Sequence, residues 1–292
     1  METTEQIKEM VRQKYGEIAL QDKETNQSSC CGSFGRHRLA AGDAGCCSTE
    51  VYNIMSEDYS TLEGYNPEAD LGLGCGLPTQ FAQIKKGHVV IDLGSGAGND
   101  AFVARNETGE TGKVIGIDFT PAMIDKARVN AEKLGYHNVE FRQGDIEKMP
   151  VTSEIADVVV SNCVLNLVPN KEGVFREIYR VLKPSGHFSI SDIVLAGELP
   201  VKIRQAAEMY AGCVAGAIQK SEYLELIEKA GFQNISLQKE KPIIVPDDIL
   251  AQYLCAEEIA DLKKSGSSIY SITVFAQKPA VGESCCGPDC CQ

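Results

Sequence analysis

Apolar residues recur at helical spacing near the start of the chain, where Ile7, Val11, Tyr15 and Ile18 share one face and predict an amphipathic helix over Thr3–Leu20. Its expected role is simple packing on the main domain. Asn26 to Thr49 then loses all periodicity and is rich in Gly, Ser and Cys, which predicts a mobile loop. From Gly87 onward, apolar runs alternate with helical segments, as they do where crossover helices connect parallel strands buried on both faces. The runs predict strands at His88–Leu93, Lys113–Phe119, Asn138–Gln143, Asp157–Asn162 and His187–Ile193, with Ile235–Gln238 and Ile269–Gln277 completing the sheet.

The helix boundaries carry their own signals. Thr120 is a candidate cap for a helix with Pro121 in its first turn, and Gly135 should stop that helix after Leu134. A second helix is expected over Lys171–Leu182, ending before a Lys183-Pro184-Ser185-Gly186 turn. Beyond Pro200 the pattern predicts a helical stretch through Tyr210 and Ile218. It is followed by a helix Glu222–Ala230, capped by Ser221 and stopped by Gly231, and by a helix over Asp247–Lys264. No internal repeat is present.

At 292 residues, 43% of them hydrophobic, the chain has room for one large α/β domain with appendages. A net charge of −13 opposes the counterion release that drives nucleic-acid binding and disfavours anionic membranes, so neither is an expected partner. Met1 to Leu20 lacks a basic segment followed by an apolar run, and no stretch is apolar enough to span a bilayer. A soluble, cytoplasmic protein, acting as a monomer, is expected. Eight of the 12 cysteines form adjacent pairs: Cys30 and Cys31, Cys46 and Cys47, Cys285 and Cys286, Cys290 and Cys291. With no secretory signal, these are read as reduced thiols suited to soft metals or metalloids.

Val89 to Asp100 reads as a strand, a glycine-rich turn and the start of a helix. Such a turn lets backbone approach a ligand and offers helix N–H groups to it. The third glycine comes one position too early for the dinucleotide fingerprint, which shifts the expectation to a ligand without a pyrophosphate. Asp118 ends the second strand where a carboxylate can take ribose hydroxyls. Gly144-Asp145-Ile146 ends the third, where Asp145 can take an exocyclic amine and Ile146 can face a base.

Ile91–Gly98, Gly116-Ile117-Asp118, Gly144-Asp145 and Leu182–Gly186 together resemble the successive motifs of class I S-adenosylmethionine-dependent methyltransferases. The resemblance implies a Rossmann-like α/β sheet, mostly parallel with one antiparallel strand, helices on both faces and a smaller C-terminal α+β part. It assigns Gly94, Gly96 and Gly98 to the amino-acid end of S-adenosylmethionine, Asp118 to its ribose and Asp145 to its adenine. Asp92, Ser95, Met123, Ile146 and Asn162 join the expected cofactor contacts. The organisation that follows is an N-terminal helix and Cys-rich loop (1–58), a cofactor-binding core (59–200), a substrate-binding and sheet-completing region (201–280) and a Cys-rich tail (281–292).

Three isolated cysteines remain for the acceptor. Cys163 follows the fourth strand at the carboxyl edge where open α/β sheets present residues to ligands. Cys75 lies between glycines in a turn without apolar periodicity, which predicts exposure, and Cys213 lies among small residues that permit close approach. Cys255, inside the last predicted helix, is read as a buried packing residue. A thiolate trio suits a pyramidal three-coordinate centre such as trivalent arsenic, whereas structural zinc would want a fourth ligand.

The sequence around these cysteines is similar to the arsenite methyltransferases: Gly72-Leu73-Gly74-Cys75-Gly76, Ser161-Asn162-Cys163-Val164-Leu165-Asn166-Leu167, Tyr210–Gly216, and the Glu63-Gly64-Tyr65 and Glu68-Ala69-Asp70 runs. The resemblance implies that Cys75, Cys163 and Cys213 hold As(III), with arsenite and methylated arsenicals as substrates. A further amino-terminal cysteine would take part in turnover, with thioredoxin or glutathione as thiol reductant; this sequence departs from the family by offering two pairs there, Cys30/Cys31 and Cys46/Cys47, of which Cys46 or Cys47, nearer the core, is favoured. The Cys285–Cys291 tail is read either as a metalloid-handling segment or as an unstructured end. Two other readings stay open: a methyltransferase for an organic acceptor such as a quinone, and a thiol-based metalloid chaperone or sensor.

Overall fold

The computed structural model describes residues 4–21, 57–198, 216–244, 250–251, 254–265 and 267–281. The expectations for Cys30, Cys31, Cys46, Cys47, Cys213 and the Cys285–Cys291 tail lie outside the described residues, as does the helix through Tyr210.

Seven strands form one sheet: β1 (Val89–Leu93), β2 (Lys113–Asp118), β3 (Val139–Gln143), β4 (Ala156–Asn162), β5 (Leu182–Ala196), β6 (Gln233–Ile243) and β7 (Ser268–Gln277), in the order β3-β2-β1-β4-β5-β7-β6. The pairs from β3 across to β5 are parallel, and β7 runs antiparallel to both β5 and β6. The mostly parallel sheet with one reversed strand is therefore as expected. The strand order reverses beside β1, so the carboxyl ends of β1 and β4 border a crevice, the place where such sheets take ligands.

Helices cover both faces. They are α1 (Thr4–Ala19), α2 (Pro78–Phe81), α3 (Asn99–Thr108), α4 (Pro121–Lys133), α5 (Lys171–Val181), α6 (Lys220–Lys229) and α7 (Ala256–Lys264). One apolar layer sets Ile91, Ile115, Val159 and Phe188 against Phe175, Ile178 and Tyr223. The opposite layer packs Val90, Val114 and Val158 against Phe102, Ile124 and Ala127. Alternate residues of the central strands thus face opposite cores, which is why those strands read as continuous apolar runs.

Several boundaries differ from the sequence expectations. Lys183–Gly186 is not a free turn but lies within the span of β5. Ala156 pairs with Leu182 while Val158 already pairs with His187, so the extra residues bulge from the ladder with Ser185 at φ 65°. The cap of α6 is Gln219, which places Ser221 inside the first turn, and Ile218 is not helical: its carbonyl accepts from Leu195 N at 2.9 Å. Thr120 occupies the N-cap position of α4 without a side-chain cap bond. The last helix is shorter than Asp247–Lys264: α7 starts at Ala256, and Cys255 is its exposed N-cap rather than a buried residue. Gly135 and Gly231 follow their helices at positive φ, as expected.

Candidate active site

The glycine turn after β1 is built by conformations that L-residues rarely adopt: Gly94, Gly96 and Gly98 have φ of 63°, 50° and 102°. Space is as restrictive as angle. A Cβ on Gly94 would lie 2.3 Å from Val164 Cγ2, and one on Gly98 would lie 2.7 Å from Phe102 Cζ. The turn therefore presses against the segment that follows β4, and α3 begins immediately behind it.

Asp92, Gly94, Ser95, Gly96, Met123, Asn162 and Cys163 line one stretch of cleft. Asp118, Asp145 and Ile146 line a second stretch, and the two meet at Gly94, Val164 and Leu167. The structure thus gathers the described cofactor candidates along one groove, while Gly98 shapes its turn from behind. Asp118 holds the turn itself: its Oδ2 accepts from Gly96 N at 3.0 Å and its Oδ1 from Thr120 N at 2.8 Å. Asp145 Oδ1 accepts from Glu147 N at 2.9 Å, and its Oδ2 meets Lys8 Nζ at 2.7 Å.

The groove is acidic. Burial raises the Asp92 pKa, reinforced by the neighbouring charges of Asp100 and Asp118. Burial also pushes Asp100 up to about 6 against hydrogen bonds from Asn162 and Tyr59, and raises Asp118 against the backbone bonds it accepts. Asp92 Oδ2, Ser95 Oγ and Asn99 Oδ1 are buried here with no hydrogen-bond partner among the described residues. Such groups are costly unless a ligand completes them. Carboxylates around unfilled acceptors fit a ligand that brings positive charge and N–H donors, as S-adenosylmethionine does with its sulfonium and its ammonium.

The thiols lie beside this groove. Cys163 follows β4 at φ 61°, a left-handed conformation that costs a non-glycine residue about 1–2 kcal/mol. Its N–H donates to Ser191 O at 2.8 Å. Cys75 is 1% exposed and Cys163 4%, in one apolar cluster with Leu167, Ile193, Leu195, Leu254 and Ile269. The exposure expected for Cys75 is thus overturned. Its flanking glycines serve close packing instead: a Cβ on Gly74 would meet Asn162 Nδ2 at 2.6 Å, and one on Gly76 would meet Ser191 Oγ at 2.5 Å.

Sequence reasoning missed several groups. Helix α1 supplies wall, not just packing: Lys8 and Val11 line the cleft beside Asp145, and Tyr15 lines the stretch beside the glycine turn. Their helical spacing was visible, but not the groove they cover. Tyr59 and Asp100 were also overlooked, although a carboxylate in the first turn of a helix after a glycine motif is a signal in itself.

The fold and the groove define a class I S-adenosylmethionine-dependent methyltransferase, and a methyltransferase-domain family model matches residues 84–231. An arsenite methyltransferase of Halobacterium salinarum is 41% identical over 280 residues, 94% of this chain and 68% of that protein. One from Aquipseudomonas alcaligenes is 33% identical over 255 residues, 84% of this chain and 68% of its own length. The crystal structure of an arsenic(III) S-adenosylmethionine methyltransferase from Chlamydomonas reinhardtii superimposes with a TM-score of 0.59 at 35% identity, covering 72% of this chain and 68% of that one. The chain belongs to the arsenite methyltransferase family.

Proposed function

We propose that this protein methylates trivalent arsenic held by the thiolates of Cys75, Cys163 and Cys213. The observation that carries the reading is the burial of Cys75 and Cys163, distant in sequence, in one apolar cluster, with Cys163 also lining the acidic groove. S-adenosylmethionine, when bound, supplies a methyl group on a sulfonium centre. Gly94 and Gly96 would hold its amino-acid end, with Asp92 and Ser95 as acceptors, Asp118 would take the ribose and Asp145 and Ile146 the adenine.

The thiols do the capture chemistry. Three S–As bonds replace three As–O bonds of arsenite, and the thiol protons leave with the oxygens as water. Apolar side chains such as Leu167, Ile193, Leu195 and Ile269 pack in one cluster with the thiols and favour a dry reaction centre, and the three-coordinate arsenic retains the lone pair that attacks the methyl group. No proton leaves arsenic, so no general base is required. Alignment is then the main source of rate, with about 7–11 kcal/mol available to a well-oriented pair. Arsenic is formally oxidised from the trivalent to the pentavalent state. Two electrons return when Cys75 and Cys46 or Cys47 close a disulfide, which thioredoxin or glutathione reopens. The cytoplasm, where thiols stay reduced, suits this cycle; among the described residues no helix is long and apolar enough to cross a membrane.

Incubation with arsenite, S-adenosylmethionine and thiol, followed by separation of arsenic species, tests the reading directly. Cys163→Ser should bind S-adenosylmethionine with its affinity intact and lose methylation by about a thousandfold or more. Retained turnover in that variant refutes thiolate capture at this site.

A further inference from the structure

Asn162 lines the cofactor groove, yet its side-chain amide is engaged at both ends by the protein. Its Oδ1 accepts from Cys75 N at 3.0 Å and Gly76 N at 3.3 Å. Its Nδ2 donates to Gly76 O at 2.8 Å, to Asp100 Oδ2 at 3.2 Å and to the Tyr59 hydroxyl. That hydroxyl lies 2.9 Å from both Asp100 oxygens and 3.1 Å from Gly76 O. From the other side Ser271 Oγ donates to Cys75 O at 2.6 Å. A single amide, one residue before Cys163, therefore grips the loop that carries Cys75 and the first turn of α3, whose Asp100 lines the groove.

We propose that Asn162 is a positioning residue that couples occupancy of the cofactor groove to the placement of the Cys75 thiol. The inference rests on the reading of Cys75 as an arsenic ligand. A cation in the groove draws on the Asp100 carboxylate, whose position fixes the donors of Tyr59 and Asn162 that meet its oxygens. With Nδ2 so committed, Oδ1 stays turned to the backbone of Cys75. Coupling of this kind is reciprocal: whatever factor the groove's ligand gains from arsenite, arsenite gains from that ligand. A direct cofactor contact by Asn162, the expectation from sequence, makes a different prediction, because removing it would weaken the cofactor alone.

The test uses the full chain with S-adenosylmethionine and arsenite as probes. Arsenite affinity is followed by tyrosine fluorescence and cofactor affinity by calorimetry. For Asn162→Ala, the S-adenosylmethionine Kd without arsenite should stay within about twofold, while the arsenite Kd rises about tenfold. Tightening of arsenite by S-adenosylhomocysteine, whose ammonium still enters the groove, is expected in the wild type and should disappear in the variant. Alkylation of Cys75, timed by mass spectrometry, supplies a readout that needs no arsenic. S-adenosylmethionine should slow it in the wild type and leave it unchanged in Asn162→Ala. In a Cys75→Ser background, Asn162→Ala should change residual turnover by less than about twofold.

A rise of about tenfold in the S-adenosylmethionine Kd, with arsenite binding intact, would overturn the proposal in favour of direct contact. So would an equal effect of Asn162→Ala with and without Cys75. If Asn162→Ala does not fold, Tyr59→Phe removes one partner of the amide and should shift Cys75 alkylation in the same direction; no shift counts against the coupling. A wild type that shows the alkylation pattern but no thiol-dependent response to arsenite would sink the arsenic reading while leaving the coupling standing.

Discussion

Gly94→Ala is the sharpest probe of how the cofactor turn and the thiol segment share space. At φ 63° an L-residue costs about 1–2 kcal/mol. The added methyl would also sit 2.3 Å from Val164 Cγ2, 2.6 Å from Cγ1 and 3.0 Å from Cβ. Val164 is β-branched and stiff at χ1, so rotation cannot clear both branches, and overpacking of this kind costs about 1–3 kcal/mol more. The expected loss is about 2–5 kcal/mol, read from urea unfolding without ligands, with a rise of about tenfold in the S-adenosylmethionine Kd as the turn shifts. Val164→Ala removes both offending branches. In the double variant the overpacking should be relieved and the backbone cost should remain, giving a coupling energy of about 1–3 kcal/mol. Strict additivity of the two substitutions would refute the contact. Full cofactor affinity in Gly94→Ala would refute the role of the turn.

Asp192 is fully buried on β5, and burial lifts its pKa from 3.8 to about 7, with Lys171 opposing. The folded state therefore keeps this proton to higher pH than the unfolded chain, and stability should fall as pH rises. Between about pH 5.5 and about pH 8.5 the wild type should lose about 2 kcal/mol relative to Asp192→Asn in urea unfolding; a pH-independent difference contradicts this. Val11 is buried where α1 borders the groove beside Asp145 and Ile146. Val11→Asp should undock the helix and raise the S-adenosylmethionine Kd about tenfold by calorimetry, and an unchanged Kd would reduce α1 to packing.

The sheet was legible because its central strands are buried on both faces: β1, β2 and β4 announce themselves as apolar runs, and their ends locate the glycine and acidic motifs. The edge was less so. β6 alternates weakly and is mostly exposed, so only Ile235–Gln238 stood out of an 11-residue strand. Lys183–Gly186 carries every mark of a turn, and only the pairing of β4 with β5 shows it to be a bulge. Cys75 failed for a different reason. Glycines on both sides of a cysteine look like flexibility in one dimension, but here they mark where Asn162 and Ser191 come too close for any Cβ. The contribution of α1 depends on where the helix docks, and periodicity carries no information about that.

The acidic groove and the apolar cluster that buries Cys75 and Cys163 impose opposite demands on solvent, and the end of β4 is where they meet. Asn162 and Val164 face the groove through Asp100 and Gly94, while Cys163 between them also belongs to the apolar cluster. The left-handed backbone at Cys163 is what lets three consecutive residues serve both sides. On the groove side, burial makes ionised Asp92 and Asp100 costly until a cation arrives. Methyl transfer removes the sulfonium charge, so the same carboxylates that favour the charged cofactor have less to offer the neutral thioether product.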